Sequence, residues 1–160
     1  MDHLWSPWRY QYVSNADAAG KCIFCVKASE TDDRANYILH RARHNFVILN
    51  LYPYTCGHLM VVPYAHIATL EDLPEEALLE MTRLMRDSVK HLRSIYHPSG
   101  LNVGMNIGRS AGAGVADHVH MHVLPRWDAD ANFMTTVGET RVLPEDMATT
   151  YAKLSRAFSG

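Results

Sequence analysis

Histidine alternates with an apolar residue along the segment His118–Val123, which reads His-Val-His-Met-His-Val. A repeat of two residues is the period of a β-strand, and it puts the imidazoles of His118, His120 and His122 on one face and the apolar side chains on the other. Neighbouring imidazoles on such a strand lie roughly 6.5 to 7 Å apart. Because polar side chains rarely cluster in this way without a role, the row predicts a strand that carries a chemical site.

Four more strands and two helices are predicted around this one. Apolar runs bounded by turn residues predict strands over residues 37–40, 46–49, 58–63 and 101–107, with the histidine strand over 118–125. Apolar residues that recur every three or four positions predict a long helix from about Pro74 to Tyr96, and Pro144 opens a short C-terminal helix that ends at about Phe158. Connections of hairpin length cannot cross over between parallel strands, so the predicted fold class is α+β with a five-stranded antiparallel sheet.

The composition is that of one globular domain. The chain has 160 residues, of which 48% are apolar, and its formal net charge is -2. We expect a single domain over residues 1–160, made of an aromatic N-terminal segment (1–20), a core (20–127) and a C-terminal extension (128–160). The chain lacks a net basic charge, an apolar run of membrane length and a secretory signal, so we expect no DNA, RNA or membrane partner and a cytoplasmic location.

The segment before the histidine strand is rich in glycine. Gly108, Gly112 and Gly114 fall within seven residues, and the backbone amides of such a loop can form a nest for anionic oxygens. Two chemistries fit a row of imidazoles: shared ligation of a metal that activates water, or attack of a neutral imidazole on phosphorus. The glycine loop favours the second chemistry, with phosphate as the bound group.

Two motifs, in the same order along the chain, resemble a known family. The segment His118-Val-His-Met-His-Val-Leu-Pro-Arg126 is similar to the signature of the histidine triad (HIT) superfamily, and Asn50-Leu-Tyr-Pro-Tyr-Thr-Cys-Gly-His58 is similar to the block that precedes it. The resemblance covers about residues 20–127. It implies an α+β fold, a homodimer whose two sheets join, and hydrolysis or transfer at the α-phosphate of a nucleotide.

The resemblance also implies a role for each residue that matches the motifs. It assigns the nucleophile to His120, the phosphate contacts to His58 and His122, and the ribose contact to Asn50. Many family members carry Gly-Gln-Thr-Val before the triad, whereas this chain has Gly114-Val-Ala-Asp117. The remaining substrate contacts are therefore expected from the side chains or backbone amides of Asn106, Gly108, Ser110, Gly112 and Gly114.

Three other segments carry a narrower resemblance. Residues 112–127, the run Asp130-Ala-Asn-Phe133 and the N-terminal Leu-Trp-Ser-Pro-Trp-Arg are similar to the diadenosine tetraphosphate phosphorylase-like, or fragile-histidine-triad, branch of the superfamily. For the phosphorylases of that branch, the resemblance implies that phosphate rather than water accepts the nucleotidyl group.

Cys22 and Cys25 form a Cys-x-x-Cys pair, and Cys56 stands apart. The spacing alone fits either a redox pair or half of a zinc site. Some HIT proteins and the related galactose-1-phosphate uridylyltransferases hold zinc with such a pair and two histidines, which the resemblance places at His66 and His118. Two thiolates and two imidazoles complete a tetrahedral set with no position open for activated water, so the resemblance implies a structural zinc ion.

Three functions remain open at this point. The leading one is a nucleotide hydrolase or phosphorylase that acts on dinucleoside polyphosphates, or on nucleoside phosphoramidates, through a nucleotidyl-histidine intermediate. A second is a nucleotide-binding sensor or partner protein whose turnover is incidental. A third is a metal-dependent hydrolase in which His118, His120 and His122 surround zinc.

Overall fold

Five antiparallel strands form one sheet. The computed structural model describes residues 22–128, 130–138, 140 and 142–159. Its strands are β1 (Ile38–Arg41), β2 (Asn45–Leu49), β3 (Leu59–Pro63), β4 (Gly100–Met105) and β5 (Met121–Arg126). They lie in the order β1-β2-β3-β5-β4. The predicted α+β fold class and antiparallel sheet are confirmed, whereas the predicted N-terminal segment 1–20 lies outside the described residues.

Helices cover the sheet and connect its strands. The described helices are α1 (Ile23–Ser29), α2 (Asp33–Asn36), α3 (Glu75–Tyr96), α4 (Phe133–Thr136) and α5 (Met147–Phe158). The predicted long helix is α3, and the predicted C-terminal helix is α5, which begins where the side chain of Asp146 accepts a hydrogen bond from the amide of Thr149 at 2.7 Å. Within the described ranges, no helix is both long and apolar enough to cross a membrane.

The central strands divide their side chains between two hydrophobic clusters, because successive residues of a strand point to opposite faces. The first core lies under α3 and α5, and the second core lies on the opposite face beside α1. The first core includes Val47, Leu49, Leu59, Val61, Met81, Leu92, Val123 and Leu154, and the second core consists of Phe24, Ile38, Phe46, Ile48, Met60 and Val62. Every residue of β2 and β3 is buried, so both faces of the sheet are covered at its centre.

The histidine strand begins later than the alternation predicts. β5 starts at Met121 rather than at His118, so only the last of the three histidines lies within the strand. The amide of Val119 donates to the carbonyl of Ile67 at 2.7 Å, and the imidazole of His118 contacts the carbonyl of Pro63 at 2.8 Å. These two contacts take the place of ladder hydrogen bonds, so that pairing with β3 begins only at Met121, where β5 starts.

A carboxylate from α3 holds the turn between β1 and β2. Glu80 accepts hydrogen bonds from the amides of Arg43 (3.1 Å), His44 (2.8 Å) and Asn45 (2.8 Å), and from the side chain of Asn45 at 2.9 Å. Burial on its own raises the pKa of Glu80, but these donors outweigh burial and keep the pKa below its usual value. The turn and the long helix are therefore joined by charge-assisted hydrogen bonds.

We expect Glu80→Gln to lower the free energy of unfolding by about 2 kcal/mol, because an amide leaves some of these donors unsatisfied. Since the pKa of Glu80 is lower in the folded chain, its contribution is complete above the unfolded value of about 4.3 and is lost as the pH falls through the folded value. Urea unfolding at about pH 7 and about pH 3 measures both effects. Glu76→Gln, which changes an exposed carboxylate on the same helix, is the control, and an equal loss in both variants would contradict the prediction.

Candidate active site and metal cluster

The three histidines predicted to act on the nucleotide lie together on the second-core side of the sheet. His122 pairs with Met60 of β3, and cross-strand partners share a face. The ring centroid of His122 lies 4.9 Å from that of His120 and 5.1 Å from that of His58. His58 is 1% exposed and His120 is 4% exposed. The fold therefore gathers these imidazoles from two separate segments into one group, in which His58 and His120 are buried and His122 is partly buried.

One hydrogen bond fixes the proton on the ring of His120. Its Nδ1 lies 2.8 Å from the backbone carbonyl of His118. A carbonyl oxygen can only accept a hydrogen bond, so Nδ1 carries the proton and Nε2 keeps its lone pair. Burial lowers the pKa of His120, and the bond to the carbonyl opposes only part of that effect. His120 is thus a neutral imidazole with a nucleophilic nitrogen at Nε2.

A chain of hydrogen bonds fixes the opposite tautomer on His122. The amide of Tyr54 donates to Nδ1 of His58 at 3.1 Å, so the proton of a neutral His58 is on Nε2. That Nε2 lies 2.9 Å from Nδ1 of His122 and donates to it. The proton of a neutral His122 is therefore on its own Nε2. The site combines an imidazole with a free lone pair at Nε2 and a neighbouring imidazole with an N–H at Nε2.

Asn50 and Tyr54 border His58. The side-chain oxygen of Asn50 accepts from the amide of Tyr52 at 2.9 Å, and its nitrogen lies 3.4 Å from both ring nitrogens of His58. The ring centroid of Tyr54 lies 4.8 Å from that of His58 and 6.2 Å from that of His122. Sequence reasoning missed Tyr54 because an aromatic residue in a turn carries no signal of which rings it will contact.

β4 brings further residues to the same site. Met105 pairs with Met121. Because the two strands are antiparallel, the next residue of this segment, Asn106, lies opposite His120. Gly104 pairs with His122, and a methyl group at Gly104 would meet no atom within 4 Å. Open space therefore lies beside His122. Sequence reasoning missed this role of Gly104, because a glycine within a strand has no chemical group to signal it.

Three amides of the glycine loop are already engaged. Gly108 and Gly112 have φ angles of 81° and 87°, which favour glycine, while Ser110 is exposed and Gly114 is partly buried. The amides that donate to carbonyls within the loop are those of Ala111, Gly112 and Ala113. A phosphate nest in this loop would have to use the remaining amides and the hydroxyl of Ser110.

The four predicted metal ligands form a cluster. One ligand atom from each of Cys22, Cys25, His66 and His118 lies within 4.8 Å of all the others. Nδ1 of His118 lies 3.3 Å from Sγ of Cys22, 3.6 Å from Sγ of Cys25 and 3.3 Å from Nδ1 of His66. A tetrahedron with bonds of about 2.3 Å to sulfur and about 2.0 Å to nitrogen has edges of about 3.3 to 3.8 Å, so these spacings fit zinc.

The chemistry of the donors fits a cation as well as their spacing does. Nε2 of His118 lies 2.8 Å from the carbonyl of Pro63 and carries the proton, so the lone pair of Nδ1 faces the thiols. Burial lowers the pKa of His118 to about 4. Burial also raises the pKa of Cys25, and the neighbouring thiol of Cys22 adds to that increase. A set of two imidazoles and two sulfur donors, in which His118 is buried, the cysteines are partly buried and His66 is exposed, suits zinc better than it suits a hard cation.

The cluster excludes two histidines of the row. Among the residues that the structure describes, the group close enough to share a metal contains His118 but neither His120 nor His122. Nδ1 of His120 is bonded to a carbonyl, and Nδ1 of His122 is bonded to His58. This arrangement counts against the hypothesis of a metal ion surrounded by all three histidines.

Comparison with known proteins identifies the family. The HIT domain matches residues 32–129 of the chain. The chain belongs to the histidine triad (HIT) family. It is 36% identical to an AP-4-A phosphorylase of Mycobacterium tuberculosis over 152 residues, which cover 91% of this chain and 78% of that protein. The family resemblance of the two motifs is confirmed.

Solved structures of HIT proteins share the fold. A zinc-bound histidine triad family protein from Mycobacterium smegmatis superposes with a TM-score of 0.70 at 26% identity, over 88% of this chain and 94% of that chain. A hypothetical histidine triad nucleotide-binding protein from Sulfolobus tokodaii superposes with a TM-score of 0.67 at 24% identity, over 86% of this chain and 92% of that chain. The sheet and helices described above are thus those of a HIT protein.

Proposed function

We propose that this HIT protein transfers a nucleotidyl group from a dinucleoside polyphosphate such as diadenosine tetraphosphate, through a covalent intermediate on His120. The observation that carries the proposal is the pair of opposite tautomers, with the rings of His120 and His122 4.9 Å apart. One ring offers a lone pair to phosphorus, and the other offers an N–H to a phosphate oxygen. The 36% identity to an AP-4-A phosphorylase supports the choice of substrate.

In the first step, Nε2 of His120 attacks the α-phosphorus. A nitrogen–phosphorus bond forms, the bond from phosphorus to the bridging oxygen breaks, and the remaining nucleotide leaves with that electron pair. The proton stays on Nδ1 of His120, hydrogen-bonded to the carbonyl of His118, and this bond stabilises the positive charge that develops on the ring. The N–H of His122, whose ring is held by His58 at Nδ1, would donate to the oxygens that gain charge.

In the second step, an oxygen of the acceptor forms a bond to phosphorus, the nitrogen–phosphorus bond breaks, and its electron pair returns to Nε2 of His120; where water is the acceptor, the proton it loses goes to solvent. The relationship of this chain to an AP-4-A phosphorylase favours inorganic phosphate as the acceptor. If water were the acceptor, the reaction would be a hydrolysis. Asn50 would hold the ribose, since its side-chain oxygen has a second lone pair beyond the one that the amide of Tyr52 uses. Further phosphate contacts would come from Asn106, from the hydroxyl of Ser110 and from the amides of Gly108 and Gly114, since the amide of Gly112 already donates to the carbonyl of Arg109.

We propose zinc as the ion of the cysteine and histidine cluster. Cys22, Cys25, His66 and His118 would fill all four positions of a tetrahedral site, so the ion would have a structural role. The relationship to a zinc-bound HIT protein supports this assignment. Thiolate ligands need a reducing compartment, and we therefore propose the cytoplasm, which cell fractionation can check.

We also propose that two chains form a homodimer through β4. Among the residues that the structure describes, this strand has one neighbour in the sheet, and Val103 and Ile107 beside its outer edge are 44% and 41% exposed. An unpaired strand edge with apolar side chains is suited to pairing with another copy.

The dimer proposal predicts that light scattering gives a mass of about twice the 18.1 kDa of one chain. Val103→Glu should shift the protein towards the mass of one chain, because it puts a charge on the proposed interface. Val137→Glu changes an exposed valine on another surface, 63% exposed, and should leave the mass unchanged. A wild-type protein of monomeric mass would exclude the dimer.

The proposed reaction predicts a covalent adduct. Wild-type protein mixed briefly with diadenosine tetraphosphate and quenched should carry an adenylyl group on His120, detected by mass spectrometry. With inorganic phosphate the products should be ADP and ATP, whereas water as acceptor gives AMP and ATP. His120→Ala should lower turnover by a factor of about 1000 or more, because it removes the nucleophile.

His97→Asn is the matched control for this experiment. His97 is exposed and has a left-handed backbone that asparagine tolerates, so this variant should keep normal turnover. Near-normal activity of His120→Ala would exclude covalent catalysis by His120. Nucleotide binding without turnover in the wild-type protein would favour a sensor instead.

The zinc proposal predicts about one zinc ion per purified chain. Cys25→Ser should leave most chains without metal and lower the melting temperature by about 5 to 10 °C, because it removes a thiolate ligand. Mass-spectrometric metal analysis measures the first effect and thermal unfolding measures the second. Cys56→Ser is the control, since Cys56 is a buried cysteine outside the cluster, and equal metal contents in the two variants would contradict the assignment.

A further inference from the structure

One of the two residues between the clustered cysteines faces the histidine site. Phe24 lies in α1 between Cys22 and Cys25 and is 4% exposed. Its ring centroid lies 4.9 Å from that of His120 and 5.4 Å from that of His118. Both spacings are within the range of direct ring packing. The Cys-x-x-Cys segment therefore delivers an aromatic ring to the proposed nucleophile as well as two thiols to the metal cluster.

The hydrogen bond at Nδ1 alone does not hold the ring of His120 in place. That hydrogen bond selects which nitrogen carries the proton. The ring can still rotate about its side-chain torsions, away from the carbonyl, unless neighbours pack on it. Phe24 and His122 both contact the ring, with centroids 4.9 Å from it in each case. Because His122 is itself a reacting group, Phe24 is an inert aromatic contact that limits the motion of His120.

Helix α1 is anchored at both ends, so that the position of Phe24 is defined. Near its start lie the two cysteines of the metal cluster. Near its end, the guanidinium of Arg41 donates to the carbonyls of Ala28 at 2.8 Å and Glu30 at 2.6 Å, and it pairs with Asp33 at 2.8 Å. A short helix held in this way is a rigid support for a side chain that must position another.

We propose that Phe24 is a positioning residue for His120, which holds the imidazole in the orientation that attack on phosphorus requires. This proposal rests on the function proposed above, and it adds a residue that the histidine motif does not contain. Phe24 would raise the rate of the chemical step without touching the substrate. Its loss should therefore lower kcat and leave KM nearly unchanged.

Phe46→Leu provides a matched control for Phe24→Leu. Both phenylalanines belong to the second core and are buried, but the ring contact of Phe46 is with Tyr64 at 5.3 Å rather than with a histidine. Both variants should lower the melting temperature by about 3 to 6 °C. Only Phe24→Leu should lower kcat, by about 10- to 100-fold, with KM changed less than about twofold and the metal content equal to that of the wild-type protein.

Long-range proton–nitrogen NMR of the histidine rings, without substrate, gives a second readout that does not depend on turnover. In the wild-type protein and in Phe46→Leu, His120 should show one tautomer, protonated at Nδ1. In Phe24→Leu the nitrogen shifts of His120 should move towards each other, because a loosely packed ring exchanges between tautomers. If Phe24→Leu does not fold, Phe24→Met replaces it, since methionine fills irregular core space without a ring.

The two readouts separate failure of this proposal from failure of the proposed function. If the wild-type protein does not turn over diadenosine tetraphosphate, the proposed function fails and the NMR comparison still decides whether Phe24 holds His120. If Phe24→Leu keeps both the kcat of Phe46→Leu and the wild-type nitrogen shifts of His120, Phe24 is a core residue only. Unchanged nitrogen shifts in a folded Phe24 variant overturn the proposal even if kcat falls.

Discussion

The hydrogen bond from the imidazole of His118 to the carbonyl of Pro63 is the constraint on which the site depends. Pro63 ends β3, and the imidazole occupies its carbonyl at 2.8 Å where a ladder amide would otherwise donate. The bond sets the proton of His118 on Nε2, which leaves Nδ1 towards the cysteines. It also fixes the backbone of His118, whose own carbonyl sets the proton on His120. One residue thus links the sheet, the metal cluster and the proposed nucleophile.

The burial of several histidines is tolerated because each has an identified partner. A buried polar group without a hydrogen bond costs about 1 to 3 kcal/mol. His118 is bonded to Pro63, His120 to a backbone carbonyl, and His58 to the amide of Tyr54. Burial lowers the pKa of His118 and of His120, and neutral rings are what a metal ligand and a nucleophile both require. The N–H at Nε2 of His122 is a local donor of the kind with which a chain of net charge -2 could hold a compact anion without a basic surface.

The sequence predicted which side chains share a face of a strand, but it did not predict which residues of different elements contact one another. A period of two identifies which side chains share a face. The antiparallel sheet and the grouping of His120 with His122 could therefore both be predicted from the sequence. The residue at which β5 begins could not be predicted, because it depends on contacts of His118 and Val119 with residues that are distant in the sequence. The engaged amides of the glycine loop were also not predictable, since they depend on the turn that the loop adopts. Phe24 belonged to a motif recognised only for its cysteines, and its ring contacts depend on where α1 docks.

The hydrogen bonds of the three histidines, rather than their spacing, explain how the two proposed chemistries can share one short segment. Residues two apart on an extended chain point the same way, and equivalent imidazoles would compete for one ion or one phosphate. Here the competition is removed by different hydrogen bonds. His118 gives Nε2 to Pro63 and has only Nδ1 for ligation, whereas His120 gives Nδ1 to a carbonyl and has only Nε2 for reaction. Two adjacent members of the row therefore present opposite ring nitrogens, so a metal held by the first does not need to engage the second.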